Sequence, residues 1–393
     1  VKILICADQL VWGGAEFLAC RAAIGLNGLP GWEVHLASRM SANAEQQAAA
    51  RMLRESGVPQ IHWLNFDGLR FLPTALVRLK GLLRRHGFQA VETSSTAGDI
   101  LVGWALKKQG AVHIKGIHDY FAPEVLRRPV MRVWRKSLHA RQAFYAVSHY
   151  AKKRWAETLG VSAQRIRVIY NGLPFDEPPS KERRLALSAE VRQELRIPVE
   201  GRILLSVGRL LPRKGQDLAL RIAAPLLKSE NAWLVFAGAE ASGGELAESG
   251  AKGFFTRFNR EISASGVAER VRLLGRRTDV RRLMLAADVL LHPARHEAFG
   301  MVLPEAFAAG LLVAASAVGG IPEVLGDSPY APLSLQNEAR FQVELMRLLR
   351  LSPEATQVLR EAGEKRLKAF SEQRRWREMA DFFQESTENA RRE

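Results

Sequence analysis

Glu297 and Glu305 stand with seven residues between them in the run His-Glu-Ala-Phe-Gly-Met-Val-Leu-Pro-Glu, residues 296–305. Upstream, Val289-Leu290-Leu291 ends an apolar run that reads as a buried strand, and His292-Pro293-Ala294 breaks it. Downstream, Pro304 suits the first turn of a helix, where its missing N–H costs nothing, and Gly310 suits the stop. The segment therefore reads as strand, loop and helix mouth, with Glu297 in the loop and Glu305 at the mouth. Between them, the backbone N–H groups of Gly300, Met301 and Val302 suit an anion, assisted by the helix dipole. Two carboxylates flanking a phosphate-sized nest fit a ligand with hydroxyls on both sides of a phosphate, such as a nucleotide-sugar. Alone, the pair equally fits a dipole-complementing Glu305 and a solvated Glu297, so the surroundings decide.

Other segments offer compatible chemistry. Val207-Gly208-Arg209-Leu210-Leu211-Pro212-Arg213-Lys214-Gly215 follows a candidate strand. It brings Arg209, Arg213 and Lys214 to the carboxyl end of that strand, where α/β ligands bind. Arginine meets phosphate oxygens in a bidentate manner and lysine supplies a compact charge. No Gly precedes Lys214 and no Ser or Thr follows it, which excludes a Walker loop. Gly13-Gly14 before a helical pattern lets the backbone approach a ligand, yet it is not the G-x-G-x-x-G dinucleotide fingerprint. His118 follows another strand and can bind a sugar hydroxyl or move a proton. Gly275-Arg276-Arg277 is a loop that can meet a base, and Gly319-Gly320-Ile321-Pro322-Glu323 is a second glycine-rich turn into a helix. Asp-x-Asp, His-Glu-x-x-His, Gly-x-Ser-x-Gly and clustered Cys/His patterns do not occur, so the expectation is that no metal is used.

These segments need a scaffold, and the hydrophobic pattern supplies one. Strands are expected at 2–7, 33–38, 90–93, 112–117, 143–147 and near 166–170, with helices at 14–28, 44–56, 71–86, 98–109 and 149–160. The pattern restarts with strands at 203–207, 233–237, 271–274, 288–291, 312–316 and near 330. Helices at 215–228, 244–265, 279–286, 304–309 and 321–326 alternate with them, followed by a helical tail from about 335 to 391. Such alternation predicts parallel sheets covered on both faces. The expected division is 1–175, a proline-bounded charged linker at 176–199, a second domain at 200–370 and a closing helix at 371–393 that crosses back to the first domain.

A chain of 393 residues, 47% hydrophobic and 25% charged, is long enough for two globular cores. Cys6 and Cys20 fall in apolar patterns and are expected to be reduced core residues in the cytoplasm. Lys2-Ile3-Leu4-Ile5 begins the first strand at once, which leaves no room for a signal peptide. Residues 306–322 carry no charge but contain Gly310, Gly319, Gly320 and Pro322, and fall short of the ~20 apolar residues of a membrane span. The formal net charge of +16 points to an anionic partner. Arg127, Arg128, Arg132, Trp134, Arg135 and Lys136 lie in a stretch without acids between Glu124 and Glu157, interleaved with apolar residues. The segment from Phe71 to Gly87 is similar. Both suit an anionic bilayer surface, and both equally suit helices with apolar faces turned to the core.

Taken in order, Gly13-Gly14-Ala15-Glu16, His118-Asp119, Asn171-Gly172, Gly208-Arg209, Arg213-Lys214-Gly215, Glu297 to Glu305 and Gly319-Gly320 with Glu323 span nearly the whole chain. In them the sequence resembles the retaining nucleotide-sugar glycosyltransferases of family 4. The run from Leu283-Met284 to Glu305 looks like the bacterial enzymes that build lipopolysaccharide core or capsule. The resemblance implies a GT-B fold, two doubly wound Rossmann-like domains facing across a cleft. It implies that Arg213 and Lys214 neutralise the donor diphosphate in place of a metal. It implies further that Glu297 holds the transferred sugar, that Glu305 binds the ribose, and that Gly300–Val302 meet the sugar and distal phosphate. His118 would contact a far sugar hydroxyl, and Gly13, Gly14, Gly208, Arg209 and Arg276 would complete the donor site.

The expected activity is transfer of a hexose, UDP-linked, to a lipid-linked or phosphorylated glycan at the inner face of a bacterial inner membrane, with no cofactor and no nucleic-acid partner. The alternatives are a GT-B phosphorylase or UDP-sugar epimerase, which would need no glycan acceptor, and a basic nucleic-acid-binding protein, which would bind with a steep salt dependence.

Overall fold

The computed structural model describes every residue except 11–13, 40–43, 59, 67–70, 108, 119–128, 138–140, 175–178, 241–248 and 393. At 14–16, 45, 129–130 and 158–159 it describes the backbone alone. The chain divides into two units, Val1–Gly172 with Glu372–Glu393, and Leu173–Ser371.

Strands β1 (Lys2–Ala7), β2 (Glu33–Ser38), β3 (Ile61–Trp63), β4 (Ala90–Thr93), β5 (Val112–Ile117), β6 (Gln142–Ala146) and β7 (Ile166–Val168) form the sheet of the first unit in the order β3-β2-β1-β4-β5-β6-β7. All its pairings are parallel. The pleat sends Ile3 and Ile5 of β1 to one face, against Ala19, Ala23 and Leu26 of the helix Gly14–Asn27. Leu4 and Cys6 go to the other face, against Leu79 and Leu83 of Leu72–His86 and Leu101 of Thr96–Leu106. Burial on both faces is why β1 reads as an unbroken apolar run. The last helix, Glu372–Arg392, adds Met379 and Phe383 to the first of these faces. It is held there by Arg21–Glu372 and by Arg167–Glu385 at 2.6 Å. Cys6 and Cys20 are buried and not joined in a disulfide.

The second unit contains β8 (Arg202–Val207), β9 (Ala232–Ala237), β10 (Val271–Leu273), β11 (Val289–His292) and β12 (Leu312–Ala315), all parallel in the order β10-β9-β8-β11-β12. The helix Lys181–Leu195, expected within the linker, packs in this unit. Its buried Arg192 donates to the carbonyls of Gly201 and Ala286 at 3.1 and 2.9 Å and to Asp288 Oδ2 at 3.1 Å.

Several elements differ from expectation. The three-residue edge strand β3 is too short to show a period in the sequence, and the basic stretch around residue 132 forms a helix, Pro129–Ser137. The helix expected at 244–265 runs over Phe254–Ala264, after Gly253 at φ 66°. In place of a strand near 330, Leu333 makes one isolated bridge to Ser316. The tail is three α-helices, Glu338–Leu349, Pro353–Leu367 and Glu372–Arg392, because Pro353 starts a new helix and a 3-10 turn at Lys368–Phe370 ends it. Among the described residues, no helix is long and apolar enough to cross a membrane.

The helix Pro129–Ser137 corrects one expectation. Trp134, assigned to a membrane- or acceptor-facing surface, is 0% exposed, and its Nε1 donates to Asp99 Oδ2 at 2.8 Å. Its neighbours Arg132, Arg135 and Lys136 are exposed, and Arg127 and Arg128 lie outside the described residues. The amphipathic period thus puts Met131 and Trp134 in the core and the cations outside. Asp99 is fully buried and also takes Thr93 Oγ1 at 2.5 Å and Lys115 Nζ at 3.0 Å. A buried carboxylate needs these partners, because an unpaired charge in a dry core is costly. Replacing Lys115 by Met is therefore expected to destabilise the protein by about 3–5 kcal/mol, the usual loss on breaking a buried pair from one side. Urea denaturation checks this, and a loss below about 1 kcal/mol, the level of an exposed pair, would show that Asp99 does not need its cation.

Candidate functional site

In the second unit the strand order reverses beside β8, with β9 on one side and β11 on the other. Ligands of open parallel sheets bind at the carboxyl ends of the strands at such a reversal. β8 runs out into Gly208, at φ 142°, and then Arg209, and a 3-10 turn follows at Pro212–Lys214. β11 ends at His292 and runs into Glu297.

The two loops are fastened to each other. Gly215 sits at φ 71°, where a Cβ would strike the Pro293 carbonyl, so only glycine lets the chains meet. The amides of Arg295 and His296 donate to the Arg213 carbonyl at 2.8 and 3.3 Å. Arg295 also grips Asp217 with both guanidinium ends, at 2.7 and 2.6 Å, and donates to the Pro212 carbonyl at 2.7 Å. Gln216 Nε2 donates to the carbonyls of Gly208 and Arg209 at 3.3 and 2.8 Å. From behind, the Gly320 amide donates to the Glu297 carbonyl at 3.0 Å. A Cβ on Gly319 would collide with that same carbonyl, which accounts for the glycine pair.

This frame brings Lys214 and Glu297 into an ion pair. His292 Nε2 lies 3.2 Å from the same Glu297 oxygen. Burial works to raise the Glu297 pKa, but Lys214 and then His292 outweigh it and hold the carboxyl well below the usual range. Glu305, in the first turn of the helix Val302–Ala308, goes the other way. Burial pushes its pKa up to about 7, with Lys214 only partly offsetting the effect. Its carboxylate has no hydrogen-bond partner among the described residues. One lysine thus lies near two carboxylates of opposite protonation tendency, one committed as an anion and one poised near neutrality.

Gly300 takes φ 93° at the helix mouth, and the amides of Gly300, Met301 and Val302 meet no acceptor among the described residues. Arg276 is exposed and lines a cavity of about 440 Å³ with Leu210, Gly238, Glu240, Phe255 and Gly275, beside the ends of β9 and β10. Arg209 is exposed and Arg213 half-buried in the loop after β8. The structure therefore brings together Lys214, Arg213, Glu297, Glu305 and the Gly300–Val302 amides, with Arg276 in the neighbouring loop. His292, Gln216 and Arg295 are the members that sequence reasoning missed. The signal for His292 was present, as an imidazole closing a buried strand one loop before Glu297, but it was read only as a strand break.

His118 belongs to the first unit, at the end of β5. Its Nε2 is 3.3 Å from Tyr145 Oη, which donates to Glu92 Oε1 at 3.0 Å. Burial, then Arg375 and Lys115, lowers the His118 pKa and keeps the ring neutral. Its buried Nδ1 has no hydrogen-bond partner among the described residues. Burial raises Glu92 to about 7 against the hydrogen bonds from Tyr145 and Ser94. Gly14 opens the helix Gly14–Asn27, while Gly13 and Asp119 lie outside the described residues.

Comparison with known proteins supplies a family. The sequence model of the glycosyl transferases group 1 matches residues 188–386, and that of glycosyltransferase family 4 matches residues 12–177. The D-inositol 3-phosphate glycosyltransferase of Mycobacterium tuberculosis is 34% identical over 170 residues, which make up 43% of this chain. The match spans 32%, about a third, of the length of that relative. Among solved structures, Anabaena Alr3699/HepE in complex with UDP and glucose superposes with a TM-score of 0.82 at 18% identity, over 98% of this chain and 99% of that one. WaaG, a glycosyltransferase involved in lipopolysaccharide biosynthesis, gives 0.65 at 18%, over 96% and 98%. These likenesses establish the fold as GT-B, two parallel-sheet α/β domains, as expected.

The raised pKa of Glu305 has a consequence for stability. The folded protein holds this proton to about pH 7, while the unfolded chain releases it near pH 4.5. The residue's contribution is therefore complete below that lower value and is lost as pH rises through the folded pKa. Glu305→Gln removes the penalty and should raise the thermal midpoint at pH 8 by about 2–4 °C, with little change at pH 5. Equal shifts at both pH values in scanning calorimetry would exclude a raised pKa.

Proposed function

The chain belongs to the glycosyl transferases group 1, and from that membership we propose that it is a retaining glycosyltransferase that uses a nucleotide-diphosphate sugar. The observation that carries the reading is Lys214 held beside Glu297 and near Glu305 at the strand reversal of the second unit, with unpartnered amides at Gly300–Val302. In the proposed complex Lys214 and Arg213 meet the diphosphate, Glu297 holds hydroxyls of the transferred sugar, and Glu305 accepts from the ribose. The cavity beside Arg276 takes the base, and in the first unit His118, whose Nδ1 has no partner among the described residues, binds a sugar hydroxyl.

Lys214 is paired with Glu297, and in the proposed complex the diphosphate is its second anionic partner. In the transfer, the bond from the anomeric carbon to the diphosphate oxygen breaks and a bond to the acceptor oxygen forms on the same face. The acceptor proton passes to the departing phosphate. The fixed cations of the loop after β8 stabilise the negative charge that develops there, work that a metal does in other transferases. No metal is part of the proposed reaction.

The finer reading is a UDP-hexose donor and a lipid-linked or phosphorylated glycan acceptor in bacterial surface polysaccharide synthesis, at the cytoplasmic face of the inner membrane. UDP and glucose bound to the HepE structure, and the lipopolysaccharide role of WaaG, support it by analogy. Exposed Arg132, Arg135 and Lys136, together with Arg78, Arg84 and Arg85 on the helix Leu72–His86, support an anionic membrane partner.

A thermal-shift screen against UDP-, GDP- and ADP-sugars should give its largest shift with a UDP-hexose, since a bound donor stabilises the fold according to its occupancy. Lys214→Met should lower glycan product formation about 10²–10³-fold, the usual loss on removing a group that stabilises developing charge. Activity should persist in EDTA. Sugar phosphate released without any glycan acceptor would favour a phosphorylase instead. Charge reversal at Arg132, Arg135 and Lys136 should weaken co-sedimentation with anionic vesicles and leave donor binding intact, and unchanged sedimentation would remove that surface from the reading.

A further inference from the structure

Three histidines converge in the first unit at a place the donor chemistry does not use. His35 lies in β2, His62 in the edge strand β3, and His86 ends the helix Leu72–His86. One ring nitrogen from each falls within 4.8 Å of the others. His35 Nδ1 and His62 Nε2 are 3.0 Å apart. Two imidazole nitrogens on one tetrahedral ion would stand about 3.3 Å apart, given metal–nitrogen bonds of about 2.0–2.1 Å. The His86 ring lies 4.7 Å from that of His35 and 5.5 Å from that of His62, centroid to centroid, so a side-chain rotation completes the set.

The surroundings fit a metal better than a chance cluster. His35 is 1% exposed, and its other nitrogen, Nε2, meets Glu33 Oε1 at 2.9 Å. A carboxylate on the far nitrogen fixes the ring and its tautomer, the usual second partner of a metal-bound histidine. Nδ1 is then the lone-pair nitrogen, aimed at His62. His86 stands at a helix C-terminus, where the dipole favours a cation. Of the charged groups nearby, Glu33 favours a bound ion, while Lys2, paired with Glu33 at 2.8 Å, and Arg85 oppose it.

We propose that His35, His62 and His86 form a binding site for a divalent transition metal such as Zn²⁺, with Glu33 orienting His35 and water in the remaining position. The ion takes the place of the hydrogen shared by His35 Nδ1 and His62 Nε2, and His62 moves its proton to its other nitrogen. Imidazoles select Zn²⁺, Co²⁺, Ni²⁺ or Cu²⁺ over Mg²⁺ or Ca²⁺. The helix that carries His86 precedes β4, so its end lies at the amino-terminal side of a parallel sheet, opposite the carboxyl ends where substrates bind. The role is therefore structural. β3 is only Ile61–Trp63 and pairs only with β2, and the ion clips this short edge and the end of the helix to the sheet.

The test uses the full chain, stripped with a chelator and dialysed, titrated with Zn²⁺ by calorimetry and with Co²⁺ by visible absorption. One equivalent of Zn²⁺ should bind with micromolar or tighter affinity and raise the thermal midpoint by about 5 °C. Co²⁺ should give the intense d–d bands of a four-coordinate site, and Mg²⁺ should give no response. His62→Gln and His86→Gln should each lower Zn²⁺ affinity at least about 100-fold, and Glu33→Gln about 10–100-fold. Absence of stoichiometric uptake, or uptake unchanged in both histidine variants, overturns the proposal. Should a variant fail to fold, the wild-type Co²⁺ spectrum decides, since six-coordinate or absent absorption overturns it. Loss of glycosyl transfer in Lys214→Met leaves this site untouched, so the two readings fail separately.

Discussion

The second unit is organised around one buried ion pair, Lys214 with Glu297. Glu297 is 7% exposed, and a carboxylate there without a cation would be protonated or expelled. The lysine cannot reach it unless the loops after β8 and β11 touch, and they touch only because Gly215 presents no Cβ to the Pro293 carbonyl. Arg295 then locks the contact through Asp217 and Pro212. Gly319 and Gly320 let the next loop close on the Glu297 backbone. The pair is thus a product of backbone packing at three strand ends. Fixed charges of this kind do not have to reorganise during a reaction.

The first unit meets a related demand with different means. Asp99 is buried with Lys115, Thr93 and Trp134 as partners, which makes it an anchor between the helix Thr96–Leu106, β5 and the helix Pro129–Ser137. Gly103 allows these helices to meet, since a Cβ there would strike the Ser137 carbonyl. The neighbouring network of Glu92, Tyr145 and His118 is less complete. Among the described residues, Glu92 Oε2 and His118 Nδ1 are buried without partners, whereas Asp99 is fully engaged. Fully satisfied networks stabilise a fold, and unfilled ones at a strand's carboxyl end are where a ligand can complete them.

Strands buried on both faces were legible because the demand is local: β1 after Lys2, β9 and β12 are unbroken apolar runs in the sequence. Glu297, Lys214 and the glycine turns were legible because loops at strand ends must use particular residue types. What could not be read depends on partners far along the chain. β3 has three residues and takes its register from β2. Arg192 is buried through Asp288, a partner 96 residues further along the chain. His35, His62 and His86 show no ligand spacing because a sheet and a crossover helix bring them together, not a loop. Opposite pKa shifts in Glu297 and Glu305 also depend on one lysine's position in space.

The same distinction bears on the formal charge of +16, which counts side chains without regard to what they do. Many arginines are spent inside the fold. Arg277 and Arg282 share Asp279 and Glu194, Arg184 donates to the Ala309 carbonyl at 2.7 Å, and Arg366 donates to the Glu323 carbonyl at 2.8 Å. Among the described residues, Arg78, Arg84 and Arg85 remain exposed on one helix, and Arg132, Arg135 and Lys136 on another. Both helices turn their large apolar residues inward, through Leu79 and Leu83 in the first and Met131 and Trp134 in the second. Interfacial insertion requires the opposite arrangement, with apolar side chains free to enter the bilayer. Val77 and Val133 are the exposed large apolar residues on these faces. The membrane attraction proposed for these faces would therefore be Coulombic and short in range at physiological salt.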